Sequence, residues 1–370
     1  MSDRKEIELG NICTKVLTGG TPLSKKDEYY SNGKIPWLKT KEVNFNRITE
    51  TEFHISELGL KNSSAKLVPK NSIVIAMYGQ GSTAGRVAIN KIPLTTNQAC
   101  CNLIIDEEKA NYEFVYYYLS NSYEELVQRK TGSAQPNLNT KLIKSFEINI
   151  PSLQEQKNIA SILSSLDNKI DLLHRQNKTL EEMAEVLFRQ WFVEEVREDW
   201  EEGVLGNILT LKRGYDLSKP NRREGKFPIY AASGFSGTHN EFKVKGPGVT
   251  TGRSGVLGKV FFIEQDFWPL NTSLYVKDFK LGTPIFSYYL LKTIDIQTFN
   301  AGSAVPTLNR NHIHEHPVYL PSKKRIIEFE NRVICFFKKI DSNKNKIITL
   351  ENLRDTLLPK LMSGEVRVVV

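Results

Sequence analysis

The sequence contains few cysteines and no long apolar run. No segment approaches the roughly 18 uninterrupted apolar residues of a transmembrane helix, so none is expected to span a membrane. The first residues, MSDRKEIELGN, carry charges with no apolar stretch after them, and we therefore expect no secretory signal and a cytoplasmic protein. The four cysteines form no C-x-x-C pair, so neither a disulfide framework nor a zinc site is expected. The adjacent Cys100 and Cys101 are expected on opposite faces of one strand.

The sequence also lacks recognisable catalytic motifs. It contains no G-x-S-x-G elbow, no H-E-x-x-H pair, no dinucleotide-binding fingerprint and no N-P-P-[FY] or D-P-P-[FY] tetrapeptide of the amino-methylating DNA enzymes. Two glycine-rich segments, residues 79–86 and 251–259, lack the G-K-[ST] ending of a P-loop. We interpret both as tight turns, suited either to a hairpin or to the approach of a DNA backbone. The sequence therefore predicts a non-catalytic chain.

The chain contains an internal repeat. TGSAQPNLN at residues 131–139 recurs as AGSAVPTLN at residues 301–309, a displacement of 170 residues. The same displacement relates PS at 151 to PS at 321, KID at 169 to KID at 339, and TLE at 179 to TLE at 349. Upstream, with small length changes, LGNI at 9 recurs at 205 and FVYY at 114 recurs as FSYY at 286. We interpret the chain as two copies of one unit.

Each copy has a globular part followed by a helical part. The 370 residues exceed what one hydrophobic core organises, so two or more domains are expected. Residues 1–150 and 201–321 combine β-rich runs with a short aromatic helix, and we predict α+β domains there. Residues 151–200 and 322–370 are predicted as long helices. A capping box formed by Ser152 and Glu155 marks the start of the first helix, whereas Ser322 has Arg325 in place of the glutamate.

Both long helices show a heptad seam. Apolar positions follow steps of 4 and 3 residues, which predicts a coiled coil rather than a helix packed only on its own domain, although that alternative stays open. Residues 151–200 hold six basic and ten acidic residues and residues 323–370 hold eleven and six, so the helices attract each other and pairing within the chain is predicted. The seam positions are Ile159, Leu163, Leu166, Ile170, Leu173, Asn177, Leu180, Ala184, Leu187 and Trp191, and Phe329, Val333, Phe336, Ile340, Asn343, Ile347, Leu350, Arg354, Leu357 and Leu361.

Two asparagines interrupt this seam. If the helices are antiparallel and centred on each other, facing residue numbers sum to 520, so Asn177 faces Asn343. A buried asparagine pair lowers stability but fixes register, because a slip places each amide against an apolar neighbour. We predict this role for the pair; the alternative is that both are solvent-facing breaks in the pattern.

Three histidines near the end of the second globular part suggest a metal site. His312, His314 and His316 alternate along what we predict to be a strand, so their side chains point the same way. The equivalent positions of the first copy hold leucine, lysine and phenylalanine, which shows that the shared scaffold needs no metal there. We therefore expect no metal site.

The repeated order of globular part and long helix resembles the specificity (S) subunit of bacterial type I restriction-modification systems. The resemblance covers essentially the whole chain and depends on the order of short motifs in duplicate. One departure is that TGGTP at residues 18–22 becomes KRGYD at residues 212–216. The motifs are the two LG pairs that open the halves, TGGTP at 18, the GSAxPxLN loops, PSLQEQ at 151, LFRQWF at 187 and LLPKLMSGE at 357.

The resemblance implies a subunit with two target-recognition domains, each of which reads half of an asymmetric, interrupted DNA sequence across an antiparallel helical spacer. It implies two methyltransferase (M) subunits, which bind S-adenosylmethionine and methylate adenine, and restriction (R) subunits that use ATP and magnesium. The chain itself is expected to bind no cofactor. The alternatives are the recognition part of a multisubunit system without ATP-driven restriction, a self-contained enzyme, or a structural coiled-coil scaffold.

The residues that contact DNA are predicted on loops of the two domains. The net charge of +8 and the pI near 9.1 are compatible with a polyanionic partner. Arginine and lysine suit guanine edges and phosphates, and glutamine and asparagine suit adenine. Each candidate also has the simpler interpretation of a solvated surface residue. The candidates are Lys39, Lys41, Tyr78, Gln80, Ser82 and Arg86 in the first domain, and Arg213, Tyr215, Arg222, Arg223, Ser233 and Arg253 in the second.

Overall fold

The structure is a computed structural model that describes residues 4–79, 82–130, 137–196, 198–302 and 305–368. The chain divides into two compact units, Met1–Leu172 with Lys346–Val370, and Leu173–Asn345. Each unit contains one α+β domain and one segment of each of two long helices, which confirms the predicted fold class. The predicted boundaries separate globular from helical segments, whereas the compact units combine them. No helix in the described part of the chain has the length and apolar character needed to cross a bilayer.

The first unit contains three sheets, ordered β2-β9-β6-β7-β4, β5-β3-β8 and β1-β10 in the strand numbering that follows. The strands are β1 (Lys5–Glu8), β2 (Cys13–Thr18), β3 (Ile35–Leu38), β4 (Asn46–Ile48), β5 (Phe53–Ile55), β6 (Ile73–Ala76), β7 (Val87–Asn90), β8 (Thr95–Thr96), β9 (Cys100–Ile105) and β10 (Glu147–Ile150). The helices that begin in this unit are α1 (Glu57–Lys61), α2 (Tyr112–Asn121), α3 (Tyr123–Gln128), α4 (Thr140–Lys144) and the long α5 (Leu153–Arg189).

The second unit repeats this topology, except that in the described residues its larger sheet has four strands and no counterpart of β4. Its sheets are ordered β12-β18-β15-β16, β14-β13-β17 and β11-β19, and β13-β17 is parallel as β3-β8 is. The strands are β11 (Glu201–Val204), β12 (Leu209–Arg213), β13 (Phe227–Ala231), β14 (Gly234–His239), β15 (Gly248–Gly252), β16 (Val260–Ile263), β17 (Trp268–Pro269), β18 (Ser273–Phe279) and β19 (Pro317–Leu320). The helices are α6 (Leu205–Ile208), α7 (Pro284–Thr293), α8 (Arg310–His314) and the long α9 (Lys323–Ser363), part of which belongs to the first unit.

The larger sheet of the first unit is buried on both faces. Ile73 and Cys101 belong to the core on one face, whereas Val74 and Cys100 belong to a separate core on the other. The two cysteines therefore lie on opposite faces of β9, as predicted. All four cysteines are free thiols.

The long helices complete the core of each domain. Ile159 and Leu163 of α5 and Leu361 of α9 are buried with the sheet of the first unit, and Phe188 and Phe329 do the same in the second. None of the predicted seam positions is exposed. The helices thus bury their seam and pack on their own domains at the same time, so the two predicted modes of packing are combined.

The repeated PS dipeptide caps both long helices. Ser152 Oγ accepts a hydrogen bond from the Glu155 backbone N–H at 3.3 Å, and Ser322 Oγ accepts one from the Arg325 N–H at 3.3 Å. An unpaired N–H at each helix start is therefore satisfied by the serine, whether or not a glutamate follows.

The predicted histidine strand is wrong. His312 and His314 lie in the short helix α8, because Asn309 provides an N-cap there, and His316 precedes the next strand. The three side chains therefore do not share one side of a strand. His314 Nε2 accepts a hydrogen bond from the Leu211 N–H at 2.8 Å, and burial together with two nearby cations lowers its pKa. Among the described residues no cluster of three or more histidine, cysteine or acidic side chains could hold a metal ion.

Removing a seam aromatic tests the coupling between helix and domain. Phe329 is fully buried, and its ring lies 5.6 Å from that of Phe188 and 6.3 Å from that of Tyr289. We expect Phe329→Ala to destabilise the second unit by about 3–5 kcal/mol, measured as a lower urea midpoint. Ile327→Ala is the matched control, because Ile327 is exposed on the same helix turn, and its effect should stay within about 0.5 kcal/mol. Equal effects of the two variants would contradict the coupling.

Candidate nucleic-acid interface

Side-chain hydrogen bonds connect Ser82 and Arg86, which precede β7 in the first domain. Arg86 donates to the Ser82 carbonyl oxygen at 3.0 Å, to Ser82 Oγ at 2.8 Å and to Asn44 Oδ1 at 2.9 Å. The Tyr123 hydroxyl donates to the same carbonyl oxygen at 2.8 Å. Arg86 is therefore held by Ser82 and Asn44, and it must exchange these hydrogen bonds for contacts with DNA if it binds DNA. Gln80 lies outside the described residues.

Two other candidates of the first domain lie beside the Phe53 ring. Lys39 Nζ is 3.3 Å from the centroid of the Phe53 ring, and Lys41 Nζ is 5.2 Å from the same ring and 2.5 Å from Glu52 Oε2. The structure thus groups these two lysines over one aromatic ring. Tyr78 instead packs partly buried against the main core of the unit, and this burial raises its pKa.

In the second domain two predicted arginines share a cavity. Arg213 at the end of β12 and Arg253 just after β15 line the same space. The Tyr215 ring stacks on that of Tyr275 with a centroid distance of 6.0 Å, and their hydroxyl oxygens are 3.0 Å apart. The pair orients Tyr215, so its hydroxyl is already engaged.

The hairpin β13-β14 and the segment before it carry the remaining candidates. Arg222 donates to the Ser236 carbonyl oxygen at 2.7 Å and so braces the hairpin, whereas Arg223 and Ser233 are exposed. Phe235, which was not among the predicted residues, is 63% exposed on the same hairpin. An exposed aromatic ring of this kind is suited to apolar contact with a thymine methyl group. The DNA contacts of all these residues stay predictions.

An ion-pair network that the sequence analysis missed joins the first domain to both long helices. Arg47 on β4 donates to Asp167 Oδ2 at 2.8 Å and to Glu113 Oε2 at 2.7 Å, and Arg354 donates to Asp167 Oδ1 at 3.0 Å. The Tyr117 hydroxyl donates to Asp167 Oδ2 at 2.5 Å. Arg47 and Asp167 are only 10% and 11% exposed. Burial by itself lowers the pKa of Arg47, but its anionic and hydroxyl partners raise the pKa by more than burial lowers it. The net shift is upward, so the guanidinium stays charged.

The equivalent contact in the second unit is aromatic. At a displacement of 170 residues, Phe337 takes the place of Asp167 and Ala184 takes the place of Arg354. The Phe337 ring lies 4.8 Å from that of Phe262, and Ala184 is fully buried. The signal for the ionic version was Arg354 itself, a charged residue at a seam position that the heptad pattern did not explain.

The two seam asparagines are in contact. Asn343 is fully buried, and its Nδ2 donates to Asn177 Oδ1 at 2.8 Å and to Gln176 Oε1 at 3.1 Å. Asn177 and Asn343 therefore face each other in the second unit, as their residue numbers, which sum to 520, predict. A role in fixing the register of the helices stays a prediction.

Comparisons with known proteins point to one family. A family model described as the type I restriction modification DNA specificity domain matches residues 1–182 and 197–352. The type I restriction enzyme MjaIX specificity subunit of Methanocaldococcus jannaschii is 29% identical over 402 aligned residues, which cover 96% of this chain and 91% of the relative. The EcoprrI specificity subunit of Escherichia coli is 25% identical over 91% of this chain and 88% of its own. In fold, the crystal structure of a type I restriction-modification S subunit from M. genitalium matches with a TM-score of 0.64 at 21% identity, covering 97% of this chain and 96% of that one.

Replacement of both seam asparagines tests their energetic role. We expect Asn177→Leu with Asn343→Leu to stabilise the second unit by about 1 kcal/mol, or about 2–4 °C in melting temperature, because two buried polar groups are removed together. Asn343→Leu alone should stabilise less, since it leaves Asn177 without its partner. A lower melting temperature of the double variant in calorimetry would contradict the expectation.

Removal of the central carboxylate tests the ion-pair network. Asp167→Ala leaves two arginines without a shared partner in a mostly buried site, and we expect a loss of about 3 kcal/mol in the first unit. Asp171→Ala removes an exposed carboxylate from the next turn of the same helix and should cost less than about 0.5 kcal/mol. Chemical denaturation of both variants gives the comparison. A loss for Asp167→Ala no larger than for Asp171→Ala would show that the network adds nothing.

Proposed function

This chain belongs to the family of type I restriction-modification specificity subunits, and we propose that it is the non-catalytic subunit that gives such a complex its DNA sequence specificity. The observation that carries the proposal is the tandem repeat. Two domains share one sheet topology but differ in their loop side chains, for example TGGTP at residues 18–22 against KRGYD at residues 212–216. Such a pair is suited to reading two different DNA sequences on one scaffold.

We assign one half of an asymmetric, interrupted target to each domain. The described candidates lie near the ends of strands or on short connecting segments, for example Arg86 just before β7 and Arg253 just after β15, where binding residues have a rigid support. The paired helices act as the spacer, and a fixed helix register sets the number of unread base pairs. Under this proposal the hydrogen bond between Asn177 and Asn343 fixes the half-site spacing at a cost in stability.

The partners in this proposal supply the chemistry. Two methyltransferase subunits bind S-adenosylmethionine and methylate adenine, and restriction subunits bring ATP and magnesium, while this chain binds double-stranded DNA and no cofactor. The second-unit segment of α5 and the turn that follows it offer a docking surface. Met183, Val186 and Val193 are 46%, 64% and 48% exposed there, and exposed apolar side chains grouped on one helix are typical of a protein interface.

DNA binding by the assembled complex tests the proposal. We expect the chain together with its methyltransferase subunits to bind one duplex about 10³-fold or more tighter than random duplex, and the same sequence to be methylated on adenine in cells. Duplex binding is measured by competition and methylation by sequencing. Methylation of the same sites after deletion of the chain would show that specificity lies elsewhere.

Exchange of one domain tests the assignment of half-sites. Replacement of residues 1–150 by the same segment of a relative should change one half of the methylated sequence and leave the other half and the spacing unchanged, because each domain is built on its own sheets. The matched control replaces residues 201–321 and should change only the other half. If a single exchange changed both halves, reading by separate domains would be excluded.

A further inference from the structure

The second domain contains a cavity lined by three arginines. Arg213, Arg253 and Arg310 surround a space of about 470 Å³ together with Thr307 and Asn309. In the part of the chain that the structure describes, no acidic residue lines this cavity. Arg310 was not among the candidates drawn from the sequence. It lies at the start of α8, directly after the repeated GSAxPxLN loop.

The surroundings of this cavity disfavour positive charge. Arg253 Nε donates to the Asn271 carbonyl oxygen at 2.9 Å. Burial and the nearby charge of Arg213 lower the pKa of Arg253, and Asp216 offsets only part of this effect. Positive charge held close together with incomplete compensation is relieved by an anion that enters the cavity.

Backbone hydrogen bonds identify the equivalent of Arg253 in the first domain. The Leu308 N–H donates to the Arg253 carbonyl oxygen at 2.8 Å, and the Leu138 N–H donates to the Met77 carbonyl oxygen at 3.0 Å. Leu138 and Leu308 are related by the displacement of 170 residues. Met77 therefore occupies the position of Arg253.

The other two arginines also have neutral equivalents. The Gly214 N–H donates to the carbonyl oxygen of the first residue of β18 at 3.0 Å, and the Gly19 N–H donates to that of the first residue of β9 at 3.3 Å. Gly19 therefore corresponds to Gly214, and the preceding residues, Thr18 and Arg213, correspond to each other. Thr140 corresponds to Arg310 by the same displacement of 170. The shared scaffold thus folds with threonine, methionine and threonine at these positions. The fold therefore does not require arginine at these three positions.

We infer that the arginine-lined cavity of the second domain binds a phosphate group of the DNA backbone. Guanidinium groups match phosphate oxygens with paired hydrogen bonds, and the cavity has room for a phosphodiester. The inference rests on the proposed function and deepens it. The second domain holds its half-site partly by charge at this cavity, whereas the first domain has three neutral residues at the equivalent positions. Binding to the second half-site is therefore the more salt-dependent of the two.

The test uses the variant Arg213→Thr with Arg310→Thr. Both side chains are exposed, so the domain should keep its melting temperature. The chain with its methyltransferase subunits is titrated with a random-sequence duplex from about 50 to 200 mM salt, and each lost phosphate contact should weaken binding roughly ten-fold near 0.1 M and reduce the salt slope by about 0.9. The double lysine variant Arg213→Lys with Arg310→Lys should retain the slope. The matched control, Thr18→Ala with Thr140→Ala, should change neither affinity nor slope.

The outcomes separate the inference from the function. If the unaltered chain binds duplex and the threonine variant keeps its affinity and slope, the phosphate site is wrong and the recognition function stands. If the unaltered complex binds no duplex, the recognition function fails as well. Inorganic phosphate is titrated in a second arm. A rise in melting temperature with phosphate that the threonine variant loses, with unchanged duplex binding, would assign the cavity to a free phosphate compound and overturn the DNA assignment.

Discussion

Burial of the long-helix seam against the domain cores constrains the rest of the structure. Ile159 and Leu361 belong to the same core as the sheet of the first unit, and Phe188 and Phe329 to that of the second. A shift of either helix by one residue rotates its seam by about 100° and withdraws these side chains from both partners. Helix register is therefore tied to domain folding. The hydrogen bond between Asn177 and Asn343 restricts the register further, because it forms only when the two side chains face each other.

The duplicated scaffold carries different chemistry in its two copies. The first domain meets its helices through Arg47, Asp167 and Arg354, and the second through Phe337 and Ala184. Both arrangements fill the same position, one with satisfied charges and the other with packed rings. An ionic contact is directional and demands every partner, whereas an aromatic contact depends on close packing of the rings. One backbone topology thus accommodates two solutions to the same packing problem.

The structure separates a repeated scaffold from side chains that differ between its two copies. The sheets and the helix caps repeat almost element for element. They depend on apolar periodicity and on backbone hydrogen bonds, which form with many different side chains in place. Individual side chains at the ends of these elements differ between the two copies, although the GSAxPxLN loop is repeated. Arg213, Arg253 and Arg310 stand where the other copy has neutral residues, and the fold accepts both sets.

Repetition and periodicity in the sequence by themselves determined the α+β class, the tandem units, the two long helices and the facing of Asn177 and Asn343. These features depend on local rules, since a heptad pattern or a capped helix start is written in neighbouring residues. The tertiary structure alone decided the network around Asp167, the cavity around Arg253 and the helical position of His312. The partners in the network and in the cavity are distant from one another in sequence. The helix that contains His312 depends on the Asn309 cap, which outweighs the alternating pattern of histidines. Long-range pairing of charges leaves no periodic trace, because it is set by how separate segments pack in three dimensions.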